Sequence, residues 1–307
     1  MAAGWTGVRE RQDPEPKGEQ GGFTLVELLV VIAVIAILLA VFIPALRRAR
    51  ERGQRVVCLG NLRQLTIAWT AYADQHDGDL VPGRAYGTET VTDHHDRSIY
   101  LGWMGRAFCY PESRSELVEN PNKGALWPYL RNVDVYRCPR GRTSHAATYG
   151  IVSAANGAKI EGTYVPGPVG NTVSGCRVGN TVLRLTRLTD IVSPGPGARA
   201  VFVDMGQTPN GEDHYYYLAP RWDKFSAPLP LHAGGITVSM ADGHAEYWKW
   251  SRDTTEMPRE LLPVRNTVFE SLEDAAREPK TEDGLRDLQR MQRAVWGRLG
   301  YSVTPGP

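Results

Sequence analysis

The sequence predicts an α+β chain. One long amino-terminal helix, transmembrane in its first half and amphipathic in its second, packs on an antiparallel β-sheet. Three observations predict this. Residues 25–43 read LVELLVVIAVIAILLAVFI, an apolar run with one charge, Glu27. Leu59, Leu62, Leu65, Trp69 and Tyr72 then recur every three or four residues, which is one face of a helix. Residues 236–240 and 244–250 are two β-prone runs on either side of Asp242-Gly243, a strong hairpin signal. The body between is rich in glycine and proline, as a loop-heavy sheet domain should be. At 42% hydrophobic and 22% charged, the chain is not disordered as a whole. Lys+Arg 35 against Asp+Glu 34 leaves a net charge of +1, so bulk charge offers no case for a nucleic-acid partner.

The apolar run comes first. At 1.5 Å per residue it spans roughly 28 Å, close to the hydrocarbon thickness of a bilayer. A cleavable secretory signal has an apolar core of about 7–15 residues with a small-residue cleavage site behind it. Here the run is longer, and Arg47, Arg48, Arg50, Arg52 and Arg55 follow it. Pro44 removes one helical hydrogen bond and should bend or loosen the helix. Residues 45–75 read as the amphipathic continuation, with a stop at Asp77-Gly78.

The boundary of the run is Gly21-Gly22-Phe23-Thr24-Leu25-Val26-Glu27. It resembles the class III signal of type IV pilins and type II secretion pseudopilins. The resemblance implies that a prepilin peptidase cuts between Gly22 and Phe23 on the cytoplasmic side. Phe23 is then N-methylated, and the apolar helix stays on the mature protein. Glu27 falls at the family's fifth mature position, and Pro44 at its helix-bending proline. A narrower likeness rests on Cys58-Leu-Gly-Asn61-Leu62-Arg63-Gln64-Leu65, on residues 124–130 (GALWPYL), on residues 135–139 (VYRCP) and on His232 to Asp242-Gly243, with nine residues between the histidine and the aspartate. These pieces resemble the planctomycete-type pilin-like proteins that carry a processing-associated H-X9-DG element. The likeness covers Gly22 to about Trp250.

The implied organisation is a cleaved leader (1–22), a transmembrane half-helix (23–44), an amphipathic half-helix (45–77), a β-rich body (78–250) and a carboxy-terminal extension (251–307). The implied function is a structural subunit, not an enzyme, of a type II secretion pseudopilus or type IV pilus-like assembly, with no cofactor. Its partners would be the prepilin peptidase, other pilin-like subunits and membrane lipid. It would cross the inner membrane once, with the body periplasmic or in a surface filament. The rival reading is a membrane-tethered binding or enzymatic domain that uses a pilin-type leader without forming a filament.

A carboxylate near the end of a membrane segment persists when it finds a partner. For Glu27 the expected partner is the new amine of Phe23, its own or a neighbouring subunit's. Charge counting points the other way on orientation. The leader holds Arg9, Arg11 and Lys17 against four acids, while five arginines follow the run. The positive-inside rule alone would put the body in the cytoplasm, whereas the resemblance puts it outside.

The remaining candidates are weaker. A type I′ turn at Asp242-Gly243 would set His244 opposite Ala241, with the hairpin aromatics on the long helix. His232 would lie before the first strand, far along the hairpin from Asp242, which argues against a joint His232, Asp242 and His244 site. Asp204, Asn210, Glu212 and Asp213 supply oxygen atoms suited to calcium, without EF-hand spacing. Asp93-His94-His95-Asp96 reads as a solvated loop. Residues 200–203 read as a buried strand and residues 215–217 as an aromatic strand. Cys58, Cys109, Cys138 and Cys176 allow three full disulfide pairings, and their spacing chooses none. Leu285, Leu288, Met291, Val295, Trp296 and Leu299 mark a terminal amphipathic helix that docks on the body.

Overall fold

The computed structural model of the chain describes residues 24–83, 91–92, 98–99, 102–108, 111, 113–156, 177–207, 215–223, 227, 229–261 and 276–302. The chain divides into two compact units after Ala49. Helix α1, Leu25–Gln75, runs through Pro44 without a break. Its apolar first half is exposed at every position. From Cys58 onward it buries one face, made of Cys58, Leu62, Leu65, Trp69 and Tyr72 with Asn61, Thr66, Ala68 and Ala73. The helix stops where expected. Asp77 and Gly78 take positive φ (52° and 86°), and the Gly78 amide reaches back to the Ala73 carbonyl at 2.8 Å.

The central sheet has four antiparallel strands in sequence order: β1, Tyr149–Ile151; β2, Ala200–Asp204; β3, Gly235–Met240; and β4, Ala245–Lys249. A bulge at Val201 shifts the β2–β3 register. Every residue of β2 and β3 is buried, so the polar residues of β3 face protein, not water. Thr66 of α1 donates its hydroxyl to Ser239 at 2.7 Å, and the Cys58 sulfur lies 2.8 Å from the Thr237 hydroxyl. That face of the sheet belongs to residues 50–75 of α1. The hairpin aromatics divide between the two faces. Tyr247, opposite Thr237, lies under the Arg55 guanidinium of α1, 4.2 Å from the ring centroid. Trp248, opposite Ile236, turns instead to Arg290, at 4.1 Å. This corrects the expectation that the hairpin aromatics pack together on the long helix; strand alternation sends neighbours to opposite faces.

Arg290 belongs to the terminal helix, whose apolar face is as expected from Leu285 to Trp296; Leu299, expected on the same face, lies beyond its end. Here α2 is Arg114–Glu119, α3 Trp127–Leu130, α4 Arg252–Leu261 and α5 Glu282–Trp296. Thr281 caps α5 by accepting the Gly284 amide at 3.1 Å, and Gly297 ends it at φ 79°. Leu288, Met291, Val295 and Trp296 are fully buried. Residues 215–217 are not a strand, contrary to expectation. Side chains of α5 use their carbonyls instead: Trp296 Nε1 donates to Tyr215, and Gln292 Nε2 to Tyr216. Arg199, also fully buried, donates to the carbonyls of Val182, Leu183 and Val295 at 2.7, 3.1 and 3.0 Å. Burial pulls its pKa down to about 10.

The hairpin turn differs from the expectation by one residue. Ser239 pairs with Ala245, so Met240 stands opposite His244, and Met240 accepts the Gly243 amide while donating to the His244 carbonyl. Gly243 has positive φ (93°), and Asp242 is not among the positive-φ residues. The loop is therefore three residues, Ala241 to Gly243, a type I turn closed by a left-handed glycine, and not a two-residue type I′ turn. Both loops suit Asp-Gly. The three-residue loop frees the Asp242 carboxylate to accept the His244 amide at 3.1 Å and to meet its Nδ1 at 2.5 Å.

Two predictions follow from these contacts. His244 also meets Glu246 through Nε2 at 3.1 Å. Burial alone would lower its pKa, but the bonds to Glu246 and Asp242 outweigh it and hold the imidazole above its ordinary value. A raised folded-state pKa means a stabilising contribution that is complete below about pH 6.5 and disappears as pH rises through the folded value. Proton NMR titration should place His244 above that reference, and Asp242→Asn should bring it down. The second concerns the contact between α4 and α5. Asp253 of α4 accepts the backbone amides of Lys280 and Thr281 at 2.8 and 3.0 Å. A Cβ on Gly284 would overlap that carboxylate. Gly284→Ala, which helix propensity alone would favour, should therefore destabilise the chain by about 1–2 kcal/mol in denaturant unfolding.

Candidate functional site

Two sites stand out, one at the start of α1 and one beneath its second half. The start is built by Thr24 and Glu27. The Thr24 amide and hydroxyl both donate to Glu27 Oε2, at 2.9 and 2.8 Å, and the Glu27 amide donates back to the Thr24 hydroxyl at 3.2 Å. This is a capping box, Thr-x-x-Glu, and it satisfies orphan donors of the first turn. The motif was present in the sequence as Thr24-Leu-Val-Glu27, but the glutamate was read only as a charge seeking an amine. Gly22 and Phe23 lie outside the described residues. The side chains beyond the cap form an apolar surface on all sides: Leu25 is 86% exposed, Phe42 61% and Val41 73%, values no soluble helix sustains over this length. Within α1 this segment is long and apolar enough to cross a bilayer.

The second site joins residues that the sequence reading kept apart. Cys58 on α1, Cys138 after the 3-10 turn Val133–Tyr136, Asp204 at the end of β2 and His232 before β3 converge, each at most 1% exposed. One ligand-type atom from each lies within 4.8 Å of all the others. Cys58 Sγ is 3.2 Å from Asp204 Oδ2, Cys138 Sγ is 3.2 Å from His232 Nε2, and that nitrogen is 3.4 Å from Asp204 Oδ2. The Tyr149 hydroxyl donates to Cys58 Sγ at 3.2 Å, and the Arg140 amide to Cys138 Sγ at 3.4 Å. Burial pushes the Cys58 thiol up, while the hydrogen bond from Cys58, joined by one from His232, pulls the Cys138 thiol down. Burial opposes charge on His232, but the contacts with Asp204 and Cys138 prevail and raise its pKa to about 9.

The expected sites fare unevenly against this geometry. His232 and Asp242 have separate partners, the cluster for one and His244 for the other, as the length of the hairpin implied. Asp204 faces sulfur and nitrogen, with its other oxygen on the Gly206 amide at 3.1 Å. Asn210, Glu212 and Asp213, the other calcium candidates, lie outside the described residues, as do His94, His95, Cys109 and Cys176. Cys58 and Cys138 are free thiols. The signals for the cluster were faint: a cysteine on the core-facing stripe of α1, and an acid ending a strand otherwise apolar, AVFVD.

Comparison with known proteins bears on the first site. Residues 18–43 match the family described as the prokaryotic N-terminal methylation motif. The chain is similar to the ComG operon protein 3 homolog of Bacillus licheniformis, at 42% identity over 64 residues, 21% of this chain and 65% of the relative. It is similar to the type IV wide pilus major component PilA4 of Thermus thermophilus, at 64% identity over 36 residues, 12% of this chain and 28% of that one. It is also similar to a fimbrial protein of Neisseria meningitidis serogroup B, at 28% identity over 156 residues, 48% of this chain and 92% of the relative. The chain thus spans less than two thirds of the length of the first two. No solved structure matches it. At its amino terminus the chain thus carries the methylation motif, over residues 18–43, and is similar there to pilus and ComG proteins; its architecture is α+β, a long apolar helix and an antiparallel sheet.

Proposed function

We propose that the chain is a membrane-anchored, pilin-like structural subunit of a pilus or a type II secretion pseudopilus. A prepilin peptidase cuts it between Gly22 and Phe23, Phe23 becomes the methylated amino terminus, and residues 23–44 hold the chain in the inner membrane with the body outside. The observation that carries the reading is the exposed apolar half of α1, which falls within the methylation-motif match over residues 18–43. Such a surface is stable only in lipid or against other apolar helices. A pilin-like assembly supplies both, first as an anchor and then as a bundle core. Prepilin peptidase, sister subunits and lipid are the partners this implies. The H-X9-DG element, His232 to Asp242-Gly243, supports a place in the planctomycete-type group of such proteins. In the structure His232 and Asp242 of that element hold a buried cluster and a hairpin turn, both structural tasks.

Glu27 has two roles to separate, the cap on Thr24 and a charge offered to an amine. Glu27→Gln keeps a side chain able to close the capping box but removes the charge, whereas Glu27→Ala removes both. Both variants should be processed to a methyl-Phe23 terminus, seen by mass spectrometry of membrane fractions, and the body should stay folded. Incorporation into sheared filaments or crosslinked oligomers should fall at least tenfold for both if the charge is what assembly uses. Mature protein that retains Met1 overturns the processing claim. Processed protein that never associates with another pilin-like chain supports the tethered-domain alternative.

A further inference from the structure

Four segments distant in sequence deliver two sulfurs, one nitrogen and one carboxylate oxygen to a single point under α1. We propose that Cys58, Cys138, Asp204 and His232 are the ligands of a structural zinc ion. Tetrahedral zinc, with bonds of about 2.3 Å to sulfur and about 2.0–2.1 Å to nitrogen or oxygen, sets its ligand atoms about 3.3–3.8 Å apart. The contacts Cys58 Sγ to Asp204 Oδ2, Cys138 Sγ to His232 Nε2, and His232 Nε2 to Asp204 Oδ2 measure 3.2, 3.2 and 3.4 Å. Three of the six edges of the tetrahedron are therefore at or slightly below the length zinc requires. All four atoms share that neighbourhood within 4.8 Å.

The surroundings fit the same ion. A metal-bound thiolate keeps lone pairs that want donors, and Cys58 has the Tyr149 hydroxyl at 3.2 Å and the Thr237 hydroxyl at 2.8 Å. Cys138 has the Arg140 amide, and the far oxygen of Asp204 has the Gly206 amide, which leaves Oδ2 to bind through one atom. Behind the imidazole, Nδ1 of His232 faces Glu51 Oε1 at 3.8 Å, beyond hydrogen-bond length, and among the described residues neither atom has a hydrogen-bond partner. A carboxylate on this side of a ligating histidine is where a ring-orienting partner stands in such sites.

Charge and chemistry choose the metal. A carboxylate this deeply buried needs positive charge beside it, which the His232 imidazole, 3.4 Å away, supplies while it holds its proton and the ion would supply once bound. Zinc provides two positive charges as the Cys58 and Cys138 thiol protons, and any proton on His232 Nε2, pass to solvent and four coordinate bonds form. Two sulfurs and an imidazole suit zinc, whereas calcium and magnesium take oxygen cages. Four protein ligands leave no open position, which makes the site structural and not catalytic. A cleft of about 230 Å³ has Cys138 and Pro139 in its wall. The ion would bind α1, the turn after Tyr136, β2 and the start of β3 together, a role independent of whether the chain assembles.

The test uses the full chain purified in detergent without chelator. Elemental analysis should find about one zinc per chain. Exchange into cobalt should produce thiolate-to-cobalt charge-transfer bands and the intense visible absorption of a tetrahedral site. Chelation should lower the melting point, and added zinc should restore it. Cys58→Ser and Cys138→Ser should each abolish the charge-transfer bands or shift them markedly. His232→Gln should shift the visible bands while keeping thiolate charge transfer. The double variant Cys109→Ser, Cys176→Ser should keep the wild-type spectrum. Because the cobalt spectrum is read on wild-type protein, a variant that fails to fold does not blunt the test. Wild-type chain that takes up neither zinc nor cobalt overturns the proposal. So does a Cys58–Cys138 disulfide in the native protein, seen as a crosslinked peptide two hydrogens lighter, or loss of the bands in the double variant.

Discussion

A single unbroken helix has to satisfy two surroundings, and the rest of the structure follows from how its second half is buried. Residues 25–43 have no cover among the described residues, and the belt of Arg47, Arg48, Arg50, Arg52 and Arg55 ends the stretch that hydrocarbon can accept. After that belt the helix must find a protein partner for one face, and the sheet supplies it. The contact is unusual in being polar along its centre: Cys58, Asn61 and Thr66 of α1 meet Thr237, Ser239, Asp204 and the carbonyls around Arg137. Apolar residues on either side of this seam, Leu62, Leu65 and Trp69, exclude water from it. Polar pairs in such a place contribute modest net stability but fix position, since any sliding of the helix leaves buried groups without partners. Helix and sheet are therefore held in one register, which grease alone would not specify.

On the opposite face the sheet is closed by α5, and the two helices treat the hairpin symmetrically. Each places an arginine over an aromatic ring of β4, Arg55 on Tyr247 and Arg290 on Trp248. Each stacked pair joins apolar contact to a cation over a ring face. At the entry to α5, Asp287 accepts the Ser251 amide and the Thr254 hydroxyl at the start of α4, while Asp253 of α4 holds the backbone before α5. Each helix thus caps the other. The carboxy-terminal segment is an integral layer of the body.

Much of this could be read from the residues, and the failures have physical causes. Helix α1 was legible because periodicity and the Asp77-Gly78 stop agreed; α5 was legible in its apolar face but not in its end, since the spacing of Leu299 matched the face while Gly297 ends the helix before it. The hairpin was legible in place but not in register, because Asp-Gly serves two- and three-residue loops alike and the choice rests on what Asp242 can bond. Residues 215–217 looked like a strand because three tyrosines favour extended chain, yet Gln292 and Trp296 had already taken the carbonyls of Tyr215 and Tyr216. The buried cluster was the hardest to see. Its pairs are 146 and 94 residues apart, and each member alone looks like an ordinary core thiol, strand end or loop histidine. Only the tertiary fold turns them toward one point.

Arg199 carries a consequence for how this gene can change. Its guanidinium is sealed from water and answers to Val182, Leu183 and, from the last turn of α5, Val295. A premature stop codon or a proteolytic nick that removed the tail would take away one acceptor and the lid together, exposing a cation seat lined with grease. Water could then solvate the guanidinium, so the heavier loss would be the apolar cover that Leu288, Met291, Val295 and Trp296 give the body.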